Sequence, residues 1–308
     1  MSKIINDLTQ KLTEQGKSQR TIDIYISRIK AIHGPNKQIK SLRFLHKIDN
    51  IRKFFEKNKM SLVSQKSYLG TINTILKVSG KPADLTAIDL YRNFFTSEQL
   101  DELKPDKKSD KQEDNWIDWE KVIEIKQELY EKAKQSFDDN ITPSKTAYNN
   151  ILQNFILSLY VNLQPRRSLD YSSMKIQRND DEMDSNTNYL THDNKMIFNN
   201  YKTKDKYGQY EIDISENKPL MEDLGMYLSV RKDNDDEMLL VKQNGKSFNQ
   251  VNDITRLLNK IFGSNISVNM LRTIFITSKY GDMKKEQQSD ANAMGHSVNM
   301  QQNVYNKV

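Results

Sequence analysis

Apolar residues recur at helical spacing through the first hundred residues of the chain, with polar residues between them. Ile5, Leu8 and Leu12 share one helix face, and Ser18 and Ser61 each stand where an N-cap serine is expected. The pattern predicts five short amphipathic helices, at about 2–14, 18–33, 46–58, 61–79 and 84–103. We therefore expect a small α-helical domain over residues 1–103.

A polar stretch follows this helical part. Residues 104–115 contain no apolar residue apart from Pro105 and are predicted to be the linker between two domains. Trp116 and Trp119 then open the next helix. Because they lie three residues apart on an amphipathic pattern, we assign them to a core and not to ligand contacts.

The remaining residues, 116–308, mix helical and alternating patterns. Stretch 144–163 is apolar around most of its circumference and predicts a buried helix, whereas 178–186 is rich in Asp and Asn and predicts a surface loop. Alternation from 194 to 214 around a glycine-containing turn predicts a β-hairpin. Further helices are expected at 217–231, 247–262, 268–280, 284–294 and 298–305, and a short strand at 238–241. The predicted fold class is mainly α with a small antiparallel sheet (α+β).

Composition excludes several classes of protein. No apolar run approaches the roughly 18 residues that a membrane-spanning helix needs, so no membrane partner is expected. The first seven residues are too polar for a secretory signal. The absence of cysteine excludes disulfides and thiolate metal sites and is compatible with a reducing interior. We expect an intracellular protein.

Charge is unevenly distributed along the chain. Residues 1–100 hold 18 Lys and Arg against 8 Asp and Glu, a net charge of +10 within a chain of net +6. This excess is typical of a surface that meets a polyanion such as nucleic acid, although a lysine-rich solvated surface would give the same count.

Four short motifs in the second half carry the candidate chemistry. They are Arg166-Arg167-Ser168-Leu169-Asp170, Lys202-Thr203 in the predicted hairpin, Asn269-Met270-Leu271-Arg272, and Gly295-His296-Ser297 with Tyr305 nine residues after the histidine. Their order and spacing resemble the active-site boxes of the tyrosine recombinase (phage integrase) family: Arg-x-x-Glu, a β-strand lysine, His-x-Leu-Arg, and Gly-His followed by the tyrosine. The Pro-Arg-Arg form of the first box also resembles recombinases of large DNA viruses, their satellite viruses and related mobile elements.

The resemblance implies a helical N-terminal DNA-binding domain followed by a catalytic domain, and it assigns roles to six residues: Arg167, Lys202, Asn269, Arg272, His296 and Tyr305. Tyr305 would form a 3′-phosphotyrosyl link and free a 5′ hydroxyl, with no metal or nucleotide cofactor. Independently of the family, arginine forks suit phosphate oxygens, and a lysine can protonate a departing oxygen.

Some assignments stay open at the level of sequence. Arg166 competes with Arg167, and Lys204 and Lys206 compete with Lys202. Asn269 stands where the family has histidine, and an amide cannot exchange a proton at neutral pH. Taken alone, His296 could be an ordinary turn residue and Tyr305 a packing tyrosine.

The functional expectation is a site-specific recombinase or integrase that cleaves and rejoins double-stranded DNA. The resemblance implies a homo-oligomer, a tetramer on paired sites, that works wherever its target DNA resides: host nucleus, cytoplasm or viral factory. Two alternatives are a type IB topoisomerase-like enzyme and a recombinase-derived DNA-binding protein without full activity.

Overall fold

The computed structural model describes residues 2–80, 94–103, 108–138, 142–177, 183–232, 237–248, 250 and 252–305. The chain divides into two compact units, Met1–Lys108 and Ser109–Val308. The first half of the predicted helix 84–103, residues 84–93, and most of the predicted loop 178–186 lie outside the described residues. The predicted linker is described only from residue 108 on, and that part contains a short helix, α6 (Asp110–Glu113).

Helices are the only regular secondary structure among the described residues of the first unit. Its helices are α1 (Lys3–Glu14), α2 (Gln19–His33), α3 (Ile48–Lys57), α4 (Leu62–Val78) and α5 (Ser97–Glu102), with a 3-10 turn at Arg43–His46. The side chains of Ser18 and Ser61 cap α2 and α4 by accepting hydrogen bonds from main-chain N–H groups, as the sequence predicted. The apolar faces of α1 to α4 pack into one core, which includes Leu8, Ile29 and Ile72.

The second unit is organised around one buried helix. Its helices are α7 (Trp119–Ser136), α8 (Lys145–Val161), α9 (Ser168–Ser172), α10 (Lys204–Tyr207), α11 (Lys218–Val230), α12 (Asp253–Phe262), α13 (Val268–Ala293) and α14 (Val298–Met300). As its apolar circumference predicted, α8 is buried along most of its length, and α7 and α11 pack against it. The ring of Trp119 meets Phe275 edge-on, which confirms that this tryptophan belongs to the core.

A four-stranded sheet lies beside these helices in the order β1 (Met174–Ile176), β2 (Asn188–Leu190), β3 (Lys195–Phe198) and β4 (Tyr210–Asp213). The predicted hairpin is present as the antiparallel β3–β4 pair, but its connection contains α10 and is longer than a tight turn. Strand β1 pairs parallel to β2, so the sheet is mixed and not purely antiparallel. The expected strand at 238–241 is reduced to isolated bridges from Met238 and Val241. The mainly α fold with a small sheet is confirmed.

The end of the chain departs from the predicted pattern. The helices expected at 268–280 and 284–294 form one continuous 26-residue helix, α13. The residue between them that disfavours a helix is Gly281. A single glycine inside a helix lowers its stability by only about 1 kcal/mol relative to alanine. The first turns of α13 are buried, whereas most residues from 276 to 290 are exposed. After α14 the chain forms one π-helical turn, Gln301–Tyr305.

Candidate functional site

The first candidate segment is the turn that leaves the buried helix α8. The chain passes through Gln164 and Pro165 and enters α9 with Arg167 at the N-cap position. Asp170, in the first turn of α9, is buried, and its main-chain N–H donates to the Arg167 carbonyl at 3.0 Å. Arg166 and Arg167 are thus partly buried at the edge of a core that contains Asp170.

Arg166 is committed to packing. Its Nε lies 3.1 Å from an Asp170 carboxylate oxygen, and its guanidinium stands 3.8 Å above the centre of the Phe198 ring, with Tyr201 and Tyr210 alongside. Burial raises the pKa of the Asp170 carboxyl, and the positive charge of Arg166 opposes that rise. Arg166 therefore stabilises the α9 turn and the sheet beside it.

Arg167 is placed differently. Its guanidinium is half-buried and makes no hydrogen bond or ion pair with any residue that the structure describes. It lines a cleft of about 460 Å³ whose other lining residues are Gln164, Pro165, Arg166, Asp170, Tyr201, Thr203, Tyr207, Tyr210 and Arg272. Arg167 is thus the arginine of the first motif that remains available to a ligand.

Arg272 reaches the same cleft from the start of α13. Its Nε donates to the main-chain oxygen of Pro165 at 3.0 Å. Burial lowers the pKa of the Arg272 guanidinium, and the positive charge of Arg167 lowers it further. The guanidinium stays charged at neutral pH nonetheless. Two neighbouring cations that oppose each other favour an anion between them.

Lys202 lies in the connection between β3 and β4, not on a strand. Tyr201 and Thr203, on either side of it, both line the cleft. Lys202 is exposed, and its Nζ makes no hydrogen bond or ion pair within the described part of the chain. Its competitors are engaged: Lys204 donates to the Ser185 carbonyl at 2.6 Å, and Lys206 lies over the Tyr207 ring. Lys202 itself is not among the lining residues of the cleft, but it is the lysine that stands between two of them and has no contact of its own in the described ranges.

Asn269 lies on the first turn of α13, which the Ser267 side chain caps. It is exposed, and its main-chain carbonyl accepts a hydrogen bond from the Thr273 hydroxyl at 3.0 Å. Asn269 precedes Arg272 by three residues, so the two side chains share one helix face. It points into solvent and not into the core.

His296 and Tyr305 are not at this cleft. They stack on each other with ring centroids 5.1 Å apart, and Tyr305 is 63% exposed. Both follow the far end of α13, and Ala293 lies 21 residues beyond Arg272 on that continuous helix. At about 1.5 Å per residue, these 21 residues put the end of α13 roughly 30 Å from Arg272. Within a single chain the structure does not bring these two residues to the cleft, because α13 continues unbroken past Arg272.

Several lining residues of the cleft were not predicted. Tyr201, Thr203, Tyr207 and Tyr210 come from the β3–β4 connection and the start of β4. The one sequence signal that could have indicated them is the cluster of aromatic residues beside the lysines at 202–206. An arginine over three rings is visible only once the fold brings Phe198 and Tyr210 beneath Arg166.

Within the described residues, no group of three or more His, Cys, Asp or Glu side chains could hold a metal ion. No helix in the described ranges combines the length and the apolar character needed to cross a membrane.

No protein-family model matches the chain, and no curated protein matches it. Among solved structures, it is similar to a chain described as the crystal structure of XerA recombinase. The similarity covers 97% of this chain and 91% of that chain, with 16% identical residues and a TM-score of 0.35.

Proposed function

We propose that the chain is a site-specific DNA recombinase that cleaves and rejoins duplex DNA through a 3′-phosphotyrosyl intermediate on Tyr305. The observation that carries the proposal is the pair Arg167 and Arg272. Both half-buried arginines line one cleft, and Lys202 lies between two residues, Tyr201 and Thr203, that also line it. A phosphodiester is an anion that this arrangement fits.

Each residue at the cleft has a chemical task in this proposal. Arg167 and Arg272 donate to the non-bridging oxygens and stabilise the charge that builds up in the transition state. Lys202 gives a proton to the departing 5′ oxygen. Asn269 offers an amide hydrogen bond to the same phosphate, and His296 would add another from the segment that carries the tyrosine.

Tyr305 must then reach a cleft that it does not line in its own chain, since it follows the far end of α13. A homo-oligomer on paired DNA sites meets this requirement, because the terminal segment of one subunit can enter the cleft of a neighbour. Two exposed apolar features support such contact. Ile276, Tyr280 and Met283 form a stripe on α13, and Met300 and Val304 precede Tyr305.

Duplex DNA is the proposed partner of both units. The first unit supplies the excess of positive charge, and phosphate contacts by Lys and Arg provide sequence-independent affinity. Arg28 is not free for this task, since it donates to the Ser67 carbonyl and the Thr71 hydroxyl. The helices α1 to α4 would present the remaining basic side chains.

The test is a nicked suicide duplex carrying the ends of the genetic element that encodes the chain. Cleavage near the nick releases a short strand and traps the enzyme on the DNA, and a denaturing gel then shows a covalent adduct. A Tyr305→Phe chain on the same duplex is the control. An adduct with the wild-type chain only is the expected result, and no adduct on any such duplex would contradict the proposal.

One observation favours a second candidate, a recombinase-derived DNA-binding protein without full activity. The separation of Tyr305 from Arg272 is what a chain that binds DNA without cutting it would tolerate. Sequence-specific binding without any adduct would support this candidate. A topoisomerase-like enzyme would instead relax a supercoiled plasmid that carries no paired sites.

A further inference from the structure

A buried asparagine on β2 connects the two segments that form the cleft. The Asn188 side chain is 0% exposed. Its Nδ2 donates to the Asp170 carbonyl at 2.9 Å and to the Asn200 carbonyl at 3.0 Å. Its Oδ1 accepts from the main-chain N–H of Asn199 at 2.9 Å and of Asn200 at 2.7 Å. A primary amide has two donor hydrogens and two acceptor lone pairs, so every one of its positions is used.

These four bonds join two particular places. Asp170 lies three residues after Arg167, and Asn200 lies two residues before Lys202. No main-chain hydrogen bond links 166–172 directly to 199–203 among the residues that the structure describes. The Asn188 side chain is therefore the direct polar link between the arginine turn and the lysine connection.

The rest of the connection is fixed around this link. The Asn199 side chain donates to the Thr187 carbonyl at 3.0 Å. Lys204 donates to the Ser185 carbonyl, and the Tyr201 hydroxyl donates to the Gly208 carbonyl at 2.7 Å. The residues on both sides of Lys202 are thus held, and the main-chain N–H of Lys204 also donates to the Tyr201 carbonyl at 3.1 Å, while Lys202 itself is exposed.

We infer that Asn188 is a positioning residue for proton donation by Lys202. It sets the place of the Lys202 main chain relative to Arg167, and hence to the phosphate that Arg167 would bind. The inference rests on the proposed function. Placement matters because a proton donor acts only within hydrogen-bond reach of the departing atom.

The step that Asn188 would assist is specific. The Tyr305 oxygen forms a bond to phosphorus and its proton passes to water. The bond from phosphorus to the 5′ oxygen breaks, and its electron pair goes to that oxygen, which takes a proton from the Lys202 ammonium. A 5′ sulfur in the same place leaves as a thiolate, because the pKa of a thiol is about 8.5. It needs no proton donor.

The experiment compares two nicked suicide duplexes that differ only in oxygen or sulfur at the bridging 5′ position. The Asn188→Asp chain keeps both acceptor contacts and loses both donors, so the connection is loosened without loss of size. We expect its adduct formation to fall by about 10- to 100-fold on the oxygen duplex and to recover on the sulfur duplex. Lys202→Ala should show the same pattern with a larger loss.

Matched variants separate positioning from general damage. Asn154 is another fully buried asparagine of the same unit, and its Nδ2 donates to Asp223 and not to the cleft. Asn154→Asp should affect the two duplexes equally. If Asn188→Asp does not fold, Asn188→Ser, which keeps one hydroxyl donor, takes its place. Arg167→Ala should not recover on sulfur, because its charge is needed with either leaving atom.

The outcomes of the comparison are distinct. Equal losses on both duplexes for the Asn188 variant, or no loss on oxygen, would overturn the positioning role while leaving the proposed function intact. A wild-type chain that forms no adduct on either duplex would overturn the proposed function and this inference with it.

Discussion

Arg272 and Pro165 are joined by a hydrogen bond of 3.0 Å from the arginine Nε to the proline carbonyl, across 107 residues of chain. The bond fixes the start of α13 against the turn that carries Arg166 and Arg167. It also uses one edge of the Arg272 guanidinium. The terminal nitrogens remain for a ligand, since a guanidinium has five N–H donors.

This arrangement predicts that Arg167 and Arg272 act in cleavage, whereas Arg166 acts in stability. Arg167→Lys and Arg272→Lys should each reduce cleavage by at least about 100-fold, because an ammonium keeps the charge and loses the two-pronged donor geometry. The measurement is the rate of adduct formation on the suicide duplex, with DNA affinity measured in parallel.

Arg166→Lys is the matched control for that series. It should be milder in cleavage and should lower the free energy of unfolding by about 1 kcal/mol, since the contact with the Phe198 ring is weakened. Denaturant unfolding gives this value. Greater loss of cleavage for Arg166 than for Arg167 would reverse the assignment within the first motif.

The hydroxyl of Tyr305 is the next test. Tyr305→Phe should abolish adduct formation and leave DNA binding nearly unchanged, because only the nucleophilic oxygen is removed. Tyr280→Phe is a matched control, as Tyr280 is also an exposed tyrosine of the same terminal region. It should retain the adduct, and persistence of the adduct in the Tyr305 variant would exclude this residue as the nucleophile.

The separation of Tyr305 from the cleft of its own chain predicts complementation between defective subunits. Tyr305→Phe and Arg272→Ala chains, each inactive alone, should form adduct when mixed, because one supplies the cleft and the other the tyrosine. Chains of two sizes would show on a gel that the adduct is on the Arg272→Ala chain. Inactivity of the mixture would indicate that each chain brings its own tyrosine to its own cleft.

Many of the helices could be predicted from local sequence patterns. The periodicity of Ile5, Leu8 and Leu12 and the caps at Ser18 and Ser61 are local signals, and the helices follow them. Strands β1 and β2 were not predicted because three residues are too few to show alternation. The parallel pairing of β1 with β2 depends on tertiary contacts that no local pattern encodes.

In the candidate site, too, some features follow from local sequence and others depend on tertiary contacts. The motifs include both arginines that line the cleft together, Arg167 and Arg272, whereas Lys202 and Asn269 are adjacent in sequence or on the helix but are not lining residues. Sequence alone could not distinguish Arg166 from Arg167, since the distinction comes from Asp170 and the rings beneath Arg166. Nor could it show that α13 would run through Gly281 and carry His296 and Tyr305 away.

Charge in the first unit gives a prediction that is independent of the cleft. Residues 1–108 should bind duplex DNA weakly and with steep salt dependence, because their net charge is +10 and phosphate contacts release counterions. Residues 109–308, with a net charge of −4, are the comparison fragment. Binding measured at several salt concentrations gives the slope, and affinity that does not change with salt would contradict this role.

The last prediction concerns Asn269, which stands in place of a histidine and is exposed one turn before Arg272. If its amide faces the phosphate, Asn269→Ala should lower the cleavage rate by roughly five- to tenfold, which corresponds to the loss of a hydrogen bond worth about 1 kcal/mol or somewhat more. Asn269→His should keep or raise the rate, since imidazole titrates near neutrality and can exchange a proton. The gain should therefore depend on pH, whereas the rate of the wild-type chain should not change through this residue. Thr273→Ala, at the next turn of the same helix, is the matched control, and an equal effect there would show that Asn269 acts through the helix and not through the phosphate.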